Sequence, residues 1–156
     1  MIDLWPNNLD IPTSKPPVTI LREQAAFLGQ KTDNIVQAKV RNTTQQGGVT
    51  FEYQLFLQSD AIGYSYRILA IVYTIEFYPV AFILDTDIQE ELSNKKILKK
   101  YEVTLDERIS IRVNSEEEFL GLLAEILKTE KIRQIIVALL AQASDAKSMA
   151  YEGIPF

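Results

Sequence analysis

The chain has 156 residues, 47% of them hydrophobic and 24% charged, with no cysteine and no histidine. That length suits one domain around a single core. The two absences exclude disulfides, zinc–thiolate sites, thiol catalysis and the imidazole that serves most often as general base or metal ligand.

The formal charge of −5 is opposite in sign to that of a nucleic-acid binder, which gathers basic residues on one face. Acids gather in the second half: residues 76–156 hold 15 acids and 10 bases, and residues 1–75 hold six of each.

Residues 1–17 contain Pro6, Pro12, Pro16 and Pro17, with Trp5 and Ile11 among polar neighbours. Proline withholds the donors that a helix or a central strand needs, so an extended arm is predicted. Trp5 is large enough to anchor this arm on the domain or on another subunit. Neither a basic n-region nor an apolar h-region is present in this stretch, and a cytoplasmic location is expected.

Pro17 suits the first turn of a helix running to about Leu28, with Val18, Leu21, Ala25 and Leu28 on its apolar face and Gly29 as a stop. Val36, Ala38 and Val40 then alternate with polar residues. Gly47-Gly48 supplies turn chemistry, and Phe51, Tyr53, Leu55 and Leu57 alternate on the return, which together predict a hairpin. Phe56 breaks its polar face.

Tyr66 to Tyr78 reads as one central strand apolar on both sides, ended by Pro79, and Val80 to Leu84 as a further short strand. Asp87-Ile88-Gln89-Glu90 has the form of a capping box opening a short helix. Tyr101 to Val113 is either one long strand with a defect or two strands turning at Asp106–Arg108.

Ser115 to Glu118 forms a second capping box. Phe119, Leu122, Leu123, Ile126 and Leu127 make an apolar helical stripe, and Ile132, Ile135, Ile136, Leu139 and Leu140 make another out of phase with it. A break near Lys128–Thr129 is therefore predicted, with Thr129 capping a last helix that ends by about Ala143.

The motif-like clusters have structural explanations. Asp85-Thr86-Asp87 lacks the glycine and closing glutamate of a calcium loop, and Glu116–Glu118 suits the first turn of a helix. Two Ser-x-x-Lys matches, Ser93–Lys96 and Ser144–Lys147, lie in polar segments where lysine stays protonated. No phosphate-binding loop or nucleophile elbow occurs, so no cofactor and no metal are expected.

Two features stand apart. Nine of the fifteen aromatic residues lie between Phe51 and Phe82, and Tyr64, Tyr66 and Tyr78, near predicted strand ends, are candidates for an interface or a pocket rim. Glu76 has apolar neighbours, and a carboxylate on a largely buried strand needs a partner.

The fold class expected is α+β: an antiparallel sheet of four to six strands, with an N-terminal helix and a C-terminal helix pair packed mainly on one face. Residues 1–17 form the arm, 18–143 the domain and 144–156 a tail. In size, charge and element order the chain is similar to small acidic bacterial proteins that bind another protein, such as secretion chaperones and toxin-immunity proteins.

The function expected is a non-catalytic protein-interaction module of adaptor, chaperone-like or inhibitor-like type, with a protein or a second copy as partner. Neither nucleic acid nor membrane is expected. A small ligand in a tyrosine-rimmed pocket is the alternative, followed by a carboxylate-dependent enzyme with Glu76 as its base. Trp5, Tyr64, Tyr66, Glu76 and Tyr78 are the candidate site residues.

Overall fold

A computed structural model describes residues 1–105 and 108–151 of the chain, residues 146–151 as backbone alone. Helix α1 (Pro17–Lys31) begins on the second of two adjacent prolines, where a missing N–H is no loss, and it buries Val18, Ile20 and Leu21. It does not stop at Gly29. That glycine is buried inside the helix, where a Cβ would come within 2.8 Å of Asn34 Oδ1. The chain reverses instead at Asp33 and Asn34, whose φ angles of 50° and 62° lie in the left-handed region that these two residue types tolerate.

Strands β1 (Gln37–Asn42), β2 (Thr50–Ser59), β3 (Tyr64–Thr74) and β4 (Val80–Leu84) follow in turn. Helix α2 (Thr86–Asn94) precedes the hairpin β5 (Glu102–Leu105) and β6 (Ile109–Val113), and helices α3 (Glu116–Leu127) and α4 (Glu130–Tyr151) close the sequence. The six strands make one antiparallel sheet in the order β1-β2-β3-β4-β6-β5. The N-terminal helix and the C-terminal pair pack on it as expected for an α+β fold.

Period-two alternation sets the register. Tyr53, Ile71, Phe82, Ile111 and Val103 lie opposite one another in a row across five strands, a cross-strand packing unit whose centre, Ile71, Phe82 and Ile111, is buried. A bulge at Leu55/Phe56 pairs Leu55 with Leu69 and Phe56 with Arg67, so Ile68 has no partner opposite. Both Ile68 and Leu69 are buried as a result. Phe56, which interrupts the polar face, lies under the Arg41 guanidinium at 4.1 Å from the ring centroid.

Four further local expectations are corrected. The strand predicted over Tyr66–Tyr78 ends at Thr74; Ile75 and Glu76 form a turn closed by the Phe77 N–H donating to Thr74 O at 2.9 Å. Phe77 sits there at φ 75°, a conformation a bulky residue rarely adopts. Its ring packs edge-on against Tyr73, which is why the apolar alternation runs on past the strand.

The cap of α2 is Asp85, whose carboxylate accepts the Asp87 N–H, and not Asp87. Helix α4 runs to Tyr151 and does not end near Ala143. The Thr129 side chain does not cap α4: its hydroxyl donates back to Ile126 O at 2.8 Å.

Other readings agree with the structure. The helix break falls at Lys128–Thr129, between α3 and α4. Ser115 Oγ accepts the Glu118 N–H at 3.1 Å, while Glu118 reaches back to the Asn114 N–H at 2.7 Å. Tyr101–Val113 resolves into two strands; of the turn residues, 106 and 107 lie outside the described residues.

Candidate functional site

Tyr64 and Tyr66, at the start of β3, meet the amino termini of α2 and α4. The Tyr66 hydroxyl donates to the Asp85 carboxylate that caps α2. Burial first, then this bond and the charge of Asp85, holds the Tyr66 hydroxyl well above the usual tyrosine range. Lys131, in the first turn of α4, places Nζ 2.9 Å from Asp87 Oδ2 and 5.9 Å from the Tyr66 ring centroid.

Glu91 completes the joint from α2. Its carboxylate accepts the backbone N–H groups of Glu130 and Lys131 at 2.8 and 3.1 Å, and Lys95 Nζ at 3.0 Å. Glu91 is therefore the cap that Thr129 does not provide, and it is borrowed from another helix. Burial works to raise the Glu91 pKa, but the three donors outweigh it and the net shift is downward. Each of these polar groups is turned toward another, so the cluster works as a mechanical joint between α2, α4 and β3.

The other sequence candidates lie apart from it. Glu76 is exposed in its turn, so the premise of a carboxylate on a buried strand fails. Tyr78 stands edge-on to Phe119 of α3 with centroids 6.4 Å apart, its hydroxyl buried without a hydrogen-bond partner. Burial, with Glu116 adding a smaller effect, pushes that hydroxyl up to about 12. Ser59 Oγ and Gln37 Oε1 are likewise buried without partners.

Trp5 lies on the arm, where every residue from Met1 to Lys15 is exposed. Ile2, Leu4, Leu9 and Ile11 accompany it, with Trp5 at 78% and Ile11 at 94% exposure. The backbone N–H of Trp5 donates to Asp3 within the arm at 3.0 Å, and Lys15 ties the arm's base to Glu23 of α1 at 2.9 Å. Pro16, at φ −59° and ψ 146°, joins the arm to the start of α1 in an extended conformation.

A cleft of about 500 Å³ opens between α1 and the α3–α4 pair. Leu55, Leu57 and Ile68 from β2 and β3 form its floor, and Leu28, Ile132 and Ile136 are among its apolar walls. Three alanines, Ala25 of α1, Ala38 of β1 and Ala124 of α3, line it where larger side chains would take up space. Lys31 and Lys128 stand at its mouth, and neither makes an ion pair among the described residues. No tyrosine lines it, so the expected tyrosine rim is not a feature of this cleft.

The sequence held one sign of the cleft: Ala25 sits within the apolar stripe of α1, where a larger residue would fill the layer. Among the described residues no three carboxylates converge as a metal site, and no helix is long and apolar enough to cross a membrane. Comparison with known protein families, curated proteins and solved structures finds no match.

Proposed function

We propose that this protein is a non-catalytic protein-binding module that engages its partner through the N-terminal arm. The observation that carries this reading is the arm itself. Six large apolar side chains, Trp5 the largest, stand in water while the domain keeps a hydrophobic core of its own. Exposed apolar surface of this extent marks interaction sites, and a tryptophan is the side chain most often found at their energetic centre.

Chemistry offers less support for a catalyst. The chain has no histidine or cysteine, and Glu76, its least implausible base, lies in an exposed turn. A second reading, a small apolar or amphipathic molecule bound in the domain, is favoured by the cleft of about 500 Å³, a volume typical of ligand sites.

Photo-crosslinking tests the main reading. Full-length protein with a photoreactive residue in place of Trp5, irradiated in cell extract, is expected to form an adduct with protein, either another copy or a different chain. The same residue placed at exposed Glu90 is the control. If position 5 gives no more protein adduct than position 90, the arm is not a binding element.

A further inference from the structure

The arm and the cleft have complementary chemistry. From Met1 to Ser14 the side chains carry two acids, Asp3 and Asp10, and no base, set among Ile2, Leu4, Trp5, Leu9 and Ile11. The cleft is the reverse: an apolar interior with two lysines at its mouth, Lys31 and Lys128, that make no ion pair among the described residues. An acidic, tryptophan-bearing extended segment is what such a groove would receive, with the indole inside and the carboxylates turned to the rim lysines.

We propose that the arm of one copy docks in the cleft of a second copy. This rests on the reading of the arm as a binding element and adds the identity of its partner. The position of the arm in the monomer, away from the cleft, favours a second copy over the arm's own domain. The cleft lies along the later turns of α1, from Gln24 to Thr32, whereas the arm leaves from the first turn, extended at Pro16.

In the monomer no residue of the arm lines the cleft and every residue from Met1 to Lys15 is exposed, so the arm does not occupy its own cleft. Extended, its sixteen residues span up to roughly 50 Å, enough to cross to a neighbouring domain.

Reciprocal exchange satisfies both copies at once. Each gives an arm and receives one, so the assembly closes as a twofold dimer and leaves no arm free to propagate a chain. The area is adequate. A buried tryptophan alone removes roughly 150–250 Å² from water, and two arms, each adding Leu4 and its apolar neighbours, approach the roughly 1,200–2,000 Å² of a specific interface. The lysines at the rim act on register and encounter rate, and reversing them sets like charges against the arm's acids.

Trp5 is the only tryptophan in the chain, so intrinsic fluorescence reports on the arm alone. The test combines sedimentation with tryptophan emission across a concentration series of the full chain. The expected result is a monomer–dimer equilibrium, with the emission moving to shorter wavelength in step with dimer formation. Reversing the rim charges (Lys31→Glu with Lys128→Glu) is expected to weaken the dimer roughly tenfold. Adding Asp3→Lys and Asp10→Lys to that variant is expected to restore it. All four positions are exposed, so folding is not at stake.

Several outcomes overturn the proposal. A blue-shifted emission independent of concentration would place the arm on its own domain. A dimer indifferent to both charge variants would place the interface elsewhere, for example at the β5 edge, where Val103 and Leu105 are exposed. A co-purifying small molecule filling the cleft in native mass spectrometry would give the site to that ligand. A monomer with solvent-exposed Trp5 at every concentration would also refute exchange, yet the arm would remain a binding element if crosslinking at position 5 traps a different chain.

Discussion

The two flanks of the helical layer are built on opposite plans. Where α2 meets α4, charged and polar groups are turned on one another: Glu91 caps α4, Lys95 supports Glu91, Lys131 pairs with Asp87, and Tyr66 binds the Asp85 cap. Beneath this joint Ile88 and Leu92 are fully buried. Where α1 faces α3 and α4, alanines replace the larger residues and the apolar walls Leu28, Leu127 and Ile136 stay half-buried. Sealing a flank here depends on specific capping contacts between helices, and the flank without them is the one left open.

Truncating equivalent side chains on the two flanks should expose the difference most strongly. Ile88→Ala empties a closed site and is expected to cost about 2–5 kcal/mol, by transfer and cavity terms together. Ile136→Ala removes a side chain that already borders open space and is expected to cost about 1 kcal/mol. Urea denaturation of both variants measures the gap. Equal losses would mean that the cleft is closed in solution.

Glu91→Gln tests the seal itself. The substitution keeps shape but withdraws the charge that binds two helix amino-terminal N–H groups, and about 1–2 kcal/mol should be lost at neutral pH. The sign of its pH dependence follows from the lowered pKa. The carboxylate contributes fully above its ordinary value of 4.5, and the contribution fades as pH falls through the lower folded-state value. Wild type and variant should therefore differ at pH 7 and converge in acid. A gap that persists unchanged at pH 2–3 would refute the capping account.

Tyr66→Phe should follow at about 1 kcal/mol, since one hydrogen bond to a capping carboxylate is removed and the ring remains. Alkali probes the same group without mutation. Burial leads in holding the hydroxyls of Tyr66, Tyr73, Tyr78 and Tyr101 above their usual value of 10.0. The folded state then keeps protons that the unfolded chain releases, so stability should fall as pH rises above 10. Spectrophotometric titration should show these tyrosines ionising together with unfolding; smooth ionisation of every tyrosine near pH 10 in intact protein would contradict it.

What the sequence disclosed follows from how locally each feature is encoded. The β1–β2 hairpin was legible because polar and apolar residues alternate on both sides of Gly47-Gly48, and the α3–α4 break because two helical stripes fall out of phase. The four prolines announced the arm. By contrast, Ile75 and Phe77 continue the alternation of β3 through a turn, so the end of the strand at Thr74 is invisible to periodicity. Helix α4 outlasts its apolar stripe. Glu91 lies 39 residues from the N–H it caps, a partnership that no local pattern reveals. The cleft is harder still, being the space left among alanines on three elements far apart in the chain.

The smallest stability effect should come from closing the open flank. In Ala25→Leu three added carbons enter space that the cleft leaves unfilled, and leucine is nearly as good a helix former as alanine. Filling a cavity commonly adds about 0.5–2 kcal/mol. This cleft is open at one side and the new side chain keeps part of its surface in water, so a gain of about 0.5 kcal/mol is expected in urea denaturation. A loss of more than about 1 kcal/mol would mean that α1 already touches α3 and the alanines are there for close packing. The same substitution takes up room that an incoming indole would need, so association through Trp5 should weaken as the domain becomes slightly more stable. Those two changes have opposite signs only if the cleft is a binding site; a gap that is merely a packing defect would change stability and nothing else.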